Sequence, residues 1–261
     1  MRTGSGWLFR GAARAAAPIL ALILGLPPAS AAESVATALV VSVDVSQSVD
    51  DTRFRLQMEG IAEALEDPAV VGAITGNPGG ILFAMVTWAD RASLAVGWRR
   101  IASRVDAIAT AALVRATPRQ AGEFTCLGQM FRTVTVGVLP ALPVPAERVV
   151  IDVSGDGIDN CTDADSLTDA HRALLDTGAT VNGLPILVPG ENDVVGAGAY
   201  RAPGYGLLPT PLPQERTSLE QWYRAHVLGG PGAFLLAAAG YGDFSRALRR
   251  KFVIEISALG R

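Results

Sequence analysis

Ala38-Leu39-Val40-Val41-Ser42-Val43-Asp44-Val45-Ser46-Gln47-Ser48 is the stretch that decides the fold. Its first half is apolar or small without alternation, which is how a strand buried on both faces of a parallel sheet reads. The polar loop Asp44 to Ser48 follows at once. A helical pattern over 49–66 comes next, with Phe54, Met58, Ile61 and Leu65 at spacings of 4, 3 and 4 on one face. Strand, polar loop and helix in that order form the repeating unit of an open α/β sheet, with the loop at the strand's C-terminal end.

The unit recurs outward from this stretch. Ile81 to Trp88 reads as a second strand, and Leu94 to Trp98 as a short third that pairs with it as a hairpin. Pro68 and the Gly76-Asn77-Pro78-Gly79-Gly80 run end the first unit. Ile101 to Ala112 reads as helix. Leu127, Met130, Phe131, Val134 and Val138 mark another, closed by Pro140, Pro143 and Pro145. Arg148 to Val153 is a strand of the same kind as the first. Asp163 to Thr177 is helical, with Gly178 at its C-terminal cap. Thr180 to Leu187 is a strand and Ser218 to Val227 a helix. Ala233 to Ala239 reads as a further strand after a Gly-rich turn, and Asp243 to Lys251 as a final helix leading into Phe252 to Ser257. The expectation is an α/β fold: a doubly wound, mostly parallel central sheet with helices on both faces and one short antiparallel edge strand. It spans 36–257 as one domain. Residues 189–216 hold five prolines and five glycines and read as an irregular insertion.

The whole chain has 261 residues, 49% of them hydrophobic and 18% charged, with a net charge of −3. That balance fits a folded domain and disfavours a nucleic-acid binder working by phosphate neutralisation. Arg2, Arg10 and Arg14 precede the apolar run Ala15 to Leu26, and an Ala-x-Ala site ends at Ala31. This is the pattern of a secretory signal peptide over 1–31. The run is too short to span a bilayer. The mature chain is therefore expected to be exported, periplasmic or secreted, and not an integral membrane protein. Lysine occurs once against a wealth of arginine and alanine, which points to a GC-rich bacterial genome. Export makes Cys126 and Cys161 a candidate disulfide. It closes a loop of about 36 residues, worth about 4 kcal/mol in the chain-entropy model. The alternative is a pair of unpaired buried thiols.

Three polar loops follow apolar strands or open helices, where open α/β sheets place ligands. The first carries Asp44, Ser46 and Ser48. The second carries Thr125, and the third is Ser154-Gly155-Asp156-Gly157. Each also has a plain structural reading: Ser48 and Thr125 as helix caps, Asp156 as a turn residue. Taken together they supply two carboxylates and three hydroxyls. All are hard oxygen donors, suited to Mg²⁺ or Mn²⁺, or less selectively Ca²⁺, and not to zinc.

Strand-Asp44-x-Ser46-x-Ser48-helix, then Thr125 opening a helix, then strand-Ser154-Gly155-Asp156-Gly157 resembles the von Willebrand factor A (VWA) domain. The resemblance covers roughly 36–257. It implies a metal-ion-dependent adhesion site (MIDAS) in which Ser46 and Ser48 ligate the metal. Thr125 then ligates directly or through water, and Asp44 and Asp156 act largely through water. It also implies a protein partner whose Glu or Asp completes the shell. More narrowly, His226 to Phe234 and the 154–157 loop resemble a bacterial family of exported, single-domain, uncharacterised VWA-like proteins. That resemblance implies the fold and no particular ligand. If the Thr125 and Asp156 loops meet at a metal, Cys126 and Cys161 come near each other and their bridge braces the site.

Two functions of different class follow: a cation-dependent adhesion or protein-interaction domain, or a metal-dependent hydrolase acting on phosphate esters. The second lacks a second acidic cluster for a two-metal site, and the chain has no nucleophile elbow, dinucleotide fingerprint or Walker loop. Asp50 and Asp51 read as first-turn acids complementing the helix dipole. Arg246, Arg249, Arg250 and Lys251 read as a solvated helix face. His226, beside Trp222 and Tyr223, reads as structural.

Overall fold

The computed structural model describes residues 34–120, 122–195, 199–201, 207–209 and 217–257. The expected signal peptide and much of the 189–216 insertion lie outside the described residues. β1 (Val35–Asp44) is buried along its whole length, as its unbroken apolar run requires. It pairs in parallel with β2 (Ile81–Trp88) on one side and β4 (Ala146–Gly155) on the other. β3 (Ala92–Ile101) is the antiparallel partner of β2, and β5 (Thr180–Pro185) the parallel partner of β4. The sheet order is therefore β3-β2-β1-β4-β5. Chain direction of winding reverses at β1 and β4, so the crevice between their C-terminal ends is the switch point of the sheet.

Because β1 has period two, its residues divide between two cores. Leu39, Val41 and Val43 pack with α1 (Asp51–Glu66), α2 (Pro68–Thr75), α3 (Arg104–Arg115) and α7 (Phe244–Ser257). Val40 packs with Ile151, Val153 and the helices α4 (Leu127–Thr133), α5 (Ala164–Leu175) and α6 (Leu219–His226). α4 continues through a π turn, Val134–Val138, and a 3-10 turn, Leu139–Ala141, and ends before Pro143. A short hairpin, β6 (Ala199–Arg201) with β7 (Leu207–Pro209), lies within the insertion.

Four expectations need correction. β3 is not short: it has ten residues, as many as β1, because its half-buried edge alternates and lacks the continuous apolar signal. Pro68 does not end the first unit. Asp67 caps a second helix there, with Pro68 in its first turn, where a missing N–H costs nothing. Ala233 to Ala239 is not a regular strand. It runs beside β5 through isolated bridges, Gly183 to Leu235 and Ile186 to Ala238. Lys251 is not part of a solvated face. Its side chain is fully buried against Asp152 and Glu255, and α7 runs on through Phe252 to Ser257 with Phe252 and Ile256 buried. Arg246, by contrast, is exposed beside Asp243.

Candidate metal centre

The first loop leaves β1 at Asp44, whose Oδ1 accepts the Ser46 backbone N–H at 2.8 Å. This turn aims Ser46 and Ser48 to the same side, their Oγ atoms 3.3 Å apart. Neither serine caps α1. Asp50 does, accepting from the Thr52 and Arg53 N–H groups at 2.8 Å each. Thr125 caps nothing either: the α4 cap position is Cys126, without a side-chain hydrogen bond. The Thr125 hydroxyl instead reaches Ser46 Oγ at 3.1 Å. Asp156 accepts from Ser48 Oγ at 2.6 Å through Oδ1 and from the Tyr241 hydroxyl at 2.9 Å through Oδ2. The capping roles that Ser48 and Thr125 could have filled are thus not theirs. All five side chains converge, at the C-terminal ends of β1 and β4.

The second and third loops are clamped to one another. Thr125 N–H donates to Asn160 Oδ1 at 2.9 Å, and Asn160 N–H to the Thr125 carbonyl at 3.1 Å. Asp159 accepts from Gly128, Cys161 and Thr162 N–H groups. A Cys126–Cys161 disulfide joins the same two loops, with Cα atoms 5.3 Å apart.

Whether this cage suits a cation can be tested on its own atoms. Asp44 Oδ2 is buried with no hydrogen-bond partner, and an orphaned buried acceptor of that kind is costly. A Cβ on Gly155 would stand 3.0 Å from that oxygen, so glycine keeps the space beside it open. The Ser46–Ser48 and Ser46–Thr125 oxygen spacings of 3.3 and 3.1 Å match the roughly 3 Å edges of an octahedron with bonds of about 2.1 Å to Mg²⁺. Among the described residues no three His, Cys, Asp or Glu side chains gather as a metal cluster. The donors gathered here are two carboxylates and three hydroxyls, a set that suits a hard cation.

Burial, helped by the neighbouring Asp156 charge, pushes the Asp44 carboxyl from 3.8 up to about 8. Burial also raises the Tyr241 phenol, and Asp156 adds to this. Both groups resist negative charge. For a cation-free domain, a carboxyl raised in the folded state contributes stability below pH 3.8 that is lost as pH climbs through about 8. Unfolding in EDTA is therefore expected to show a stability decline over that window which Asp44→Asn flattens. Added Mg²⁺ should oppose the decline, because it favours the ionised carboxylate. A decline of equal size in Asp44→Asn assigns the effect elsewhere.

Sequence reasoning missed the rim. Arg53 Nη1 donates to the Ser48 carbonyl at 2.9 Å and lies 3.7 Å from Asp156 Oδ2. It also pairs with Glu191, at the start of the insertion, and its guanidinium sits over the Tyr241 ring. Asn192 Nδ2 donates to the Asp156 and Ile186 carbonyls, 2.8 Å each. Arg53, Asn192 and Tyr241 come from elements far apart in sequence and carry no local motif.

Known proteins resemble this chain in fold. The proximal thread matrix protein 1 from the mussel byssus superposes with a TM-score of 0.57 at 14% identity, covering 87% of this chain and 47% of that one. A crystal structure of the same mussel protein with a zinc-occupied MIDAS motif gives 0.54 at 15% identity, covering 85% and 46%. The von Willebrand factor type A protein from Catenulispora acidiphila gives 0.53 at 14% identity, covering 85% and 43%. The chain thus spans about half the length of these relatives or less, and identities at this level carry the fold alone. No curated protein matches the chain. The central sheet shares its fold with these VWA-type structures. The family model described as "Protein of unknown function (DUF1194)" matches residues 34–260, and the chain belongs to that family.

Proposed function

We propose that this is an exported, periplasmic or secreted bacterial binding domain that recognises a protein partner through a divalent cation. Asp44, Ser46, Ser48, Thr125 and Asp156 hold the ion. Mg²⁺ is the preferred cation, with Mn²⁺ or Ca²⁺ as substitutes, and a Glu or Asp of the partner completes its shell. The observation that carries this reading is the convergence of the five side chains, with one buried Asp44 oxygen left without a hydrogen bond. The cation's contribution is an open coordination position of positive charge. The chain's own residues orient the hydroxyls, keep Asp44 out of bulk water and, through Tyr241 and Asn192, fix the Asp156 loop. We read the domain as a binder and not an enzyme, since only two carboxylates meet at the centre. VWA-type relatives, one with an occupied MIDAS, support the reading.

The test is thermal or denaturant unfolding of the signal-cleaved chain with EDTA and with Mg²⁺, Mn²⁺, Ca²⁺ or Zn²⁺. A ligand bound only by the native state stabilises by about 2.7 kcal/mol at one hundred times Kd. Mg²⁺ is expected to do so in the wild type and to have no effect in Asp44→Ala. Capture of a partner from envelope extract should then be abolished by EDTA. Superimposable melts with and without every cation count against the site. A stabilisation by Zn²⁺ alone keeps the site and replaces the preferred ion.

A further inference from the structure

On the sheet face covered by α7, three charged side chains are sealed from solvent. Lys251 Nζ lies 2.8 Å from Asp152 Oδ1 and 2.5 Å from Glu255 Oε1, and none of the three side chains is more than 1% exposed. Asn182 Nδ2 donates to Glu255 Oε1 at 2.7 Å, and its Oδ1 accepts the Phe234 N–H at 3.0 Å. The Phe234 ring centroid is 4.9 Å from Nζ. Arg148 donates to the Glu255 backbone carbonyl.

The Lys251–Asp152 contact is a close buried ion pair, with Nζ 2.8 Å from Oδ1. Two acids share one amine, so full ionisation would leave a net negative charge in an apolar enclosure, which is strongly opposed. Burial accordingly holds the Asp152 carboxyl above its ordinary range and Glu255 at about 7. A carboxylic acid, an amine in contact with it and a second carboxyl able to accept a proton are what amide formation needs.

We propose that Lys251 and Asp152 become joined by an intramolecular amide bond, formed by the folded domain itself with Glu255 as the proton carrier. Glu255 takes a proton from the Lys251 ammonium. The freed Nζ lone pair attacks Asp152 Cγ and forms the new C–N bond. Glu255 passes that proton to the departing hydroxyl of the protonated Asp152 carboxyl, the C–O bond breaks and one water leaves. The second proton on Nζ then moves to Glu255, which ends as the acid beside a neutral amide. Nothing is oxidised or reduced and no co-reactant is required. The product replaces a buried ion pair, which is costly to desolvate, by a neutral amide. It ties the central strand β4 to the last helix α7. This inference stands independently of the cation site.

The test is intact-mass and peptide mapping of the full chain. The expected result is a mass short by one water beyond the hydrogens lost at the disulfide, with a branched peptide containing Asp152 and Lys251. In Asp152→Asn the leaving group becomes ammonia, so the deficit should change from a water to an ammonia. Glu255→Gln should remain folded by circular dichroism and carry no branched peptide. Linear peptides through both residues in folded wild-type protein overturn the proposal. A full yield of branched peptide in Glu255→Gln overturns the role given to Glu255.

Discussion

Measured against chain in which Lys251 and Asp152 are not yet joined, Lys251→Ala is expected to destabilise the domain by about 3–5 kcal/mol, the usual cost of removing one partner from a buried ionic cluster. The amine is paired with both side-chain carboxyls, 2.8 Å from Asp152 and 2.5 Å from Glu255. Deleting it leaves two buried carboxyls without the amine that pairs with them. It also removes the side chain that fills the space between α7 and the sheet. Equilibrium unfolding in urea checks this, as a lower midpoint with unchanged slope. A second variant separates charge from packing. Lys251→Met with Asp152→Leu and Glu255→Gln removes every charge, keeps an acceptor for Asn182 Nδ2, and should recover most of the loss. A triple variant no more stable than Lys251→Ala would show that shape, and not uncompensated charge, dominates.

Replacing Cys126 and Cys161 by serine is expected to cost about 4 kcal/mol in the chain-entropy model for a loop of about 36 residues. The bridge constrains the unfolded chain. In the native state it spans the Thr125 loop and the loop after Asp156, so its loss should also loosen the cage. The Thr125–Asn160 and Asp159 hydrogen bonds remain, which is why the fold should survive at moderate temperature. Mg²⁺ affinity should fall with stability, since more ordering entropy then opposes binding. A double variant with lower stability and unchanged Mg²⁺ affinity keeps the bond as a structural staple and removes it from the site.

Much of the architecture is written locally. The runs at 38–44, 81–88 and 148–153 are continuous and apolar because parallel strands bury both faces, and that signal needs no tertiary knowledge. The helix over Phe54, Met58, Ile61 and Leu65 is equally local, being one stripe facing one core. The cage residues were legible for a different reason. Asp44, Ser46, Ser48, Thr125 and Asp156 sit at strand ends and helix starts, and topology sends those positions to one edge. β3 was underread because an edge strand alternates and its exposed half looks like loop. Ala233 to Ala239 was overread because its apolar composition is spent on isolated bridges to β5.

By itself, then, the sequence determined the layered α/β class, the strand–loop–helix units and the place of Asp44, Ser46, Ser48, Thr125 and Asp156 at strand ends and helix starts, all of which depend on residues near one another in the chain. The tertiary structure decided which capping roles were real, giving α1 to Asp50 and freeing Ser48 for Asp156. It also brought Tyr241, Arg53 and Asn192 to the rim and turned Lys251 inward onto Asp152. A charge in an apolar strand announces that it needs a counter-ion. Which cation on which distant helix supplies it follows only from packing, because the partner is chosen by the fold that buries both.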